Sequence, residues 1–302
     1  MEIRTLNHRA GWLVADYLNG NPCSITPELM AELLPEGTPA AVEERVYASL
    51  LAGFMDLDPE SSGEDRFILE RYLQPGLRRL DPAHYLDNPY YRNMRIPARA
   101  EGGWQLAWQA YRPYELFLRD DLILTEDLRQ IPAIGYFSEP FSYPSVLQDG
   151  REWMSIKPSE IESSQAAVDA ASGRVVTFGL GLGYFAYLAS EKPEVESVTV
   201  VELDAAVISL FEKFILPQFQ NKEKVTVLQF DAFDYLEKRM SIDSPDFVFF
   251  DIWHDISDGL DPYVRAKSFE ARFPHTRFMY WIERSLRCAL VDYLENRIES
   301  EK

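Results

Sequence analysis

From Arg174 onward the apolar residues follow two alternating periods. The runs RVVTF, SVTVVE, KVTVLQF, DFVFF and TRFMYWI are short and rich in valine and phenylalanine, and read as strands. Between them, GYFAYLASEK, DAAVISLFEKFIL, DAFDYLEKRM and a closing ERSLRCALVDYLENRI have helical spacing. Phe185, Leu188 and Ala189 share one face of the first helix, which Pro193 stops. In the second helix Val207, Ile208, Phe211, Phe214 and Ile215 form the buried stripe, and Asp204 is placed as N-cap. Strands separated by helices predict a parallel sheet with crossover connections.

The first 130 residues have mostly helical periodicity. AAVEERVYASLLAGFMDL repeats apolar residues at helical spacing, and so does EDRFILERYLQPGLRRL, with Pro75-Gly76 as its breaker. DPAHYLDNPYYRNMRIP is turn-rich and aromatic, and GGWQLAWQAYRPYELFLRDDLIL suits helix or strand. Asp149-Gly150 between aromatic runs predicts a hairpin. The expected organisation is a mainly helical domain over 1–130, a β-hairpin connector over 131–157, and a Rossmann-like domain over 158–302.

Composition narrows the function classes. The 302 residues are 46% hydrophobic and 26% charged, as in globular proteins. No apolar run approaches the ~20 residues of a membrane span, and the N-terminus has no signal-peptide core. A net charge of -19 argues against nucleic acid as partner. The two cysteines, Cys23 and Cys288, make no metal-ligand spacing and read as reduced thiols of a cytoplasmic protein. The expected partner is a small-molecule substrate.

The most specific pattern is VVTFGLGLG, where Gly179, Gly181 and Gly183 end the first strand of the alternating region. Glycines there free the backbone for a close approach, at the sheet end where open parallel sheets bind ligands. Tyr184 stands where a dinucleotide fold needs its third glycine. The run from Arg174 to Asp251 resembles the class I S-adenosylmethionine-dependent methyltransferase superfamily, and within it the spermidine synthase-like branch. VVTFGLGLG is similar to its first motif, VTVVELDAAVISLFEKFIL to its second strand and helix, FDAFDYL to its third motif, and PDFVFFDIWHD to its fourth strand.

The resemblance implies S-adenosylmethionine as cofactor and no metal. It places Gly179, Gly181 and Gly183 along the methionine and ribose portion, Glu202 on the two ribose hydroxyls, and Asp231 on the adenine amino group beside the Ala232 backbone. Asp251 and His254 are the implied catalytic residues. Asp251 matches the first aspartate of the D-S-S-D stretch of spermidine synthases, and His254 stands at the second. Thr177 occupies a position that is usually acidic in the superfamily. A strand-end carboxylate can also simply cap the next helix, a reading that stays open for Glu202 and Asp231. The sheet is expected to be truncated after strand 5, with its open edge covered in a homodimer. The expected activity is methyl transfer to a small molecule. Its alternatives are aminopropyl transfer and a non-catalytic nucleoside-binding or scaffold protein.

Overall fold

The computed structural model describes residues 2–240 and 245–300. The chain packs as two units, one of residues 1–85 with 110–142 and the other of 86–109 with 143–302. These limits differ from the boundaries expected at 130 and 157. Residues 86–109 group with the C-terminal region, because their side chains bond to it as described below.

In the first unit the helices Ile3–Gly20, Pro27–Leu33, Ala40–Phe54 and Gly63–Ile68 surround a small sheet. That sheet has the order Leu77–Leu80, Ile134–Phe137, Phe117–Leu118. Its core includes Leu13, Leu51, Tyr72 and Leu77, with Tyr47 stacked on Tyr136 at 4.0 Å. Glu43, buried on this core, is neutralised by Arg79 at 2.8 Å. The fourth helix runs on through a π-helical turn, Leu69–Leu73, and a short α turn, Gln74–Gly76, and the helical run stops at the expected breaker, Pro75-Gly76.

The second unit holds the parallel sheet. Its strands are β1 (Gly173–Phe178), β2 (Val195–Glu202), β3 (Val225–Gln229), β4 (Phe247–Phe250) and β5 (Arg277–Tyr280), in the order β3-β2-β1-β4-β5. All four residues of β4 are buried, contributing roughly 1.5–3 kcal/mol per side chain. The helices are α1 (Pro158–Ala170), α2 (Tyr184–Ser190), α3 (Ala205–Phe214), α4 (Ala232–Lys238), α5 (Ile256–Phe269) and α6 (Glu283–Ser300). Asp204 caps α3 by accepting from the Ala206 and Val207 N–H groups, as its position predicts.

Helix α2 is buried nearly all round, beyond the single face expected of it. Residues 86–93 cover its second side. The Tyr90 hydroxyl donates to the Leu182 carbonyl at 2.6 Å, and the Asn88 and Asn93 amides donate to the Tyr184 and Tyr187 hydroxyls. A four-stranded sheet of order Arg99–Glu101, Trp104–Tyr111, Phe141–Gln148, Arg151–Ser155 resolves the ambiguous aromatic stretch as strand. Its last two strands are the expected hairpin, turning at Asp149-Gly150. Among the described residues no helix is long and apolar enough to cross a membrane.

Candidate functional site

The three glycines leave β1 in left-handed conformations, and the protein itself occupies the space they leave. A Cβ on Gly179 would lie 1.9 Å from the Asp251 backbone oxygen, and one on Gly183 would lie 2.3 Å from the Phe211 ring. Gly181 faces the Met154 sulfur on the hairpin. The close approach that excludes side chains is therefore made by the loop after β4, by α3 and by the hairpin. With φ of +95° at Gly179 and +73° at Gly183, the turn leads from β1 straight into α2.

Glu202 ends β2 beside this turn. Its Oε1 accepts from the Leu203 and Asp204 N–H groups at 2.7 and 2.9 Å, and its Oε2 accepts from the Leu180 N–H at 3.1 Å. A carboxylate offers about four acceptor positions. Three are used, leaving one on Oε2 where the resemblance implies two ribose hydroxyls. Burial raises the Glu202 pKa, and the backbone N–H groups of Asp204, Leu180 and Leu203 oppose it. Leu203 next to it is 66% exposed, an apolar side chain standing in solvent at the strand end.

Asp231 caps α4 with Oδ1, which accepts from the Phe233 and Asp234 N–H groups at 3.0 and 2.9 Å. Its second oxygen takes no hydrogen bond among the described residues. Ala232 is buried. Thr177 is buried within the sheet, in register with Val200 and Phe249.

Asp251 follows β4. Its N–H donates to the Phe178 carbonyl at 2.9 Å, which extends the β1–β4 ladder by one residue. Its carboxylate makes no hydrogen bond among the described residues. Burial and the nearby Glu160 push its pKa well above the usual aspartate value. Glu160 is the partner that the sequence did not reveal. It lies on the buried stripe of α1, 7% exposed, and the Ser164 hydroxyl donates to it at 3.3 Å. Burial raises its pKa to about 7, against the lowering effects of Ser164 and Lys157. Two carboxyl groups within electrostatic reach in a buried site disfavour being ionised together. A glutamate at i, with serine at i+4 and valine at i+8 on one helical face, was the available signal.

His254 is bonded to a different carboxylate. Its Nδ1 lies 2.7 Å from Asp258 Oδ2, and its ring meets Trp153 edge-on with centroids 3.9 Å apart. No interaction joins His254 to Asp251 among the described residues. Asp255 caps α5 in a capping box with Asp258. Tyr263 donates to Glu283 at 2.9 Å, and no group of three or more His, Cys, Asp or Glu among the described residues is placed to hold a metal ion.

No family profile and no curated protein matches this chain. Among solved structures, a protein from Klebsiella pneumoniae, described provisionally as an O-methyltransferase, is 17% identical with a TM-score of 0.30. The match covers 39% of this chain and 52% of that one. A conserved hypothetical protein from Streptococcus pyogenes is 14% identical at a TM-score of 0.29, over 36% of this chain and 64% of its own. A protein from Pyrococcus horikoshii, described provisionally as a transferase, is 12% identical at 0.27, over 35% of this chain and 38% of its own. The chain thus spans between about a third and two thirds of the length of these structures. The chemistry of the site rests on its own residues.

Proposed function

We propose that this protein is an S-adenosylmethionine-dependent transferase that moves a methyl group to a small-molecule acceptor. The observation that carries the reading is Glu202: a carboxylate at the carboxyl end of β2, fixed by three backbone N–H groups, with one acceptor position left beside a glycine turn. That position suits one ribose hydroxyl, and the exposed Leu203 offers an apolar face to a purine. Asp231 Oδ2 is the acceptor for the purine amino group, beside the Ala232 backbone. Once bound, the cofactor supplies an electrophilic carbon on a sulfonium sulfur. The chain's part is to orient the acceptor at Asp251 and to remove its proton at His254.

Glu160 favours a second reading. Two neighbouring carboxyl groups suit a cationic amine, and aminopropyl transfer to an amine would use Asp251 and Glu160 for that grip. In either reading the protein works in the cytoplasm. Calorimetry with S-adenosylmethionine, its decarboxylated form and S-adenosylhomocysteine tests both. Micromolar binding of the first and third supports methyl transfer, and preference for the decarboxylated form supports aminopropyl transfer. No binding of any of the three at millimolar concentration removes both.

A further inference from the structure

The loop that follows β4 builds a histidine–aspartate pair from a helix cap. Asp255 and Asp258 form the capping box of α5, in which Asp258 Oδ1 accepts from the His254 and Asp255 N–H groups at 3.0 and 3.1 Å. These bonds fix the plane of the Asp258 carboxylate, and its other oxygen meets His254 Nδ1 at 2.7 Å. An ionised carboxylate is acceptor-only, so the proton of that bond sits on Nδ1. Trp153 packs edge-on against the imidazole, and Trp153 also meets Trp104 edge-on with centroids 5.3 Å apart. The ring is thereby held from two directions, by a carboxylate and by an aromatic wall.

We propose that Asp258 is a positioning residue that fixes His254 as the Nδ1–H tautomer and leaves Nε2 as the proton acceptor of the site. Burial works upward on the Asp258 carboxyl, but the bonds from His254 and from the Asp255 and His254 N–H groups outweigh it and hold its pKa below the usual aspartate value. It is therefore ionised at neutral pH, as the tautomer requires. When an acceptor hydroxyl or amine approaches, its X–H bond breaks as Nε2–H forms, and the electron pair stays on the acceptor atom. The imidazolium so formed has the Asp258 carboxylate against it, and water later removes the proton. This role rests on the transfer reading above; the tautomer does not.

Asp258→Asn separates the two functions of the carboxylate. The amide oxygen can keep the cap, while the amide N–H₂ replaces Oδ2 and donates to Nδ1, which moves the proton to Nε2. Nitrogen-correlated NMR of the imidazoles in the full chain, at a pH where they are neutral, should show Nδ1–H at His254 in the wild type and Nε2–H in Asp258→Asn. His254→Gln identifies the signal. The melting temperature of Asp258→Asn should stay within a few degrees of wild type. Release of S-adenosylhomocysteine should fall at least tenfold in kcat with KM within about twofold, as loss of the correct tautomer does in other histidine–aspartate pairs. An Nε2–H tautomer in the wild type, or the same tautomer in both proteins, overturns the proposal, as does equal turnover by both. Absence of cofactor binding in the calorimetry, with the NMR as expected, would instead remove the transfer reading and leave the tautomer assignment standing.

Discussion

Glu202 and Asp251 stand at the carboxyl ends of β2 and β4, the two strands that flank β1, and burial raises the pKa of both. Around Glu202 three backbone N–H groups converge, so the charged form is solvated by the fold. Around Asp251 no donor points at the carboxylate among the described residues, and a second carboxyl, Glu160, lies within electrostatic reach. The first arrangement builds a fixed acceptor. The second builds a carboxyl whose charged form the fold disfavours. The glycine turn joins them, because Leu180 serves Glu202 while Gly179 admits the Asp251 backbone.

The largest effect should come from breaking that junction. Gly179→Ala would set a Cβ 1.9 Å from a backbone oxygen at a φ of +95°, where neither partner can move without tearing β1 from β4. A cost on the order of 4 kcal/mol or more is expected. Gly181→Ala would instead meet the flexible end of Met154 and should cost about 1–2 kcal/mol for its left-handed backbone. Urea midpoints of the two variants decide this. Equal losses would show that the Asp251 approach is not what demands the first glycine.

Next in size is the pH dependence of the carboxyl pair. The Glu160 pKa is raised from 4.5 to about 7 in the fold, so the folded chain binds this proton more tightly than the unfolded chain. Its stabilising contribution is fully present below the unfolded value and is lost as pH rises toward about 7. The span corresponds to a few kcal/mol. Glu160→Gln should flatten the fall in stability across that window. Asp65 and Asp246, whose pKa values are lowered, act with the opposite sign and lose stability as pH falls, but they are common to both proteins and cancel in the difference. Parallel stability curves for wild type and Glu160→Gln would show that burial does not raise the Glu160 pKa in the fold.

Glu202→Gln should follow, at about 1–3 kcal/mol, because an amide group replaces one acceptor oxygen and leaves a backbone N–H facing a donor. Chemical denaturation measures the loss. A cost of zero would mean that the three bonds do not hold this carboxylate in place.

The difference between the two carboxylates also marks how far the sequence could be read. The parallel sheet was legible because valine-rich runs and helical stripes alternate without interruption after Arg174, and Asp204 announces its helix by its own chemistry. The glycine turn was legible as a backbone demand, but not its cause, since Asp251, Met154 and Phe211 reach it from distant parts of the chain. Glu160 escaped because helical periodicity is read from apolar residues, and a glutamate on that stripe looks like a defect until its neighbours are known. Residues 86–93 read as turn-rich and aromatic, and only the hydroxyl and amide bonds to α2 show what they pack on.

The smallest effect sharpens the comparison at a third strand end. Asp231 uses Oδ1 for both capping bonds, so its fold role and its proposed ligand role fall on different atoms. Asp231→Ala removes both and should cost about 1 kcal/mol of stability, as lost N-caps do. Asp231→Asn keeps a capping oxygen, and asparagine caps about as well as aspartate, so its melting temperature should match the wild type. Its N–H₂ group, however, stands where Oδ2 stood and faces the purine amino group donor to donor. Affinity for S-adenosylhomocysteine should then fall about tenfold, which corresponds to roughly 1.4 kcal/mol. Melting curves and calorimetry on the two variants separate the outcomes. If Asp231→Asn binds as tightly as wild type while Asp231→Ala merely melts earlier, Asp231 is a helix cap alone, and the purine must find its acceptor elsewhere along the ends of β2 and β3.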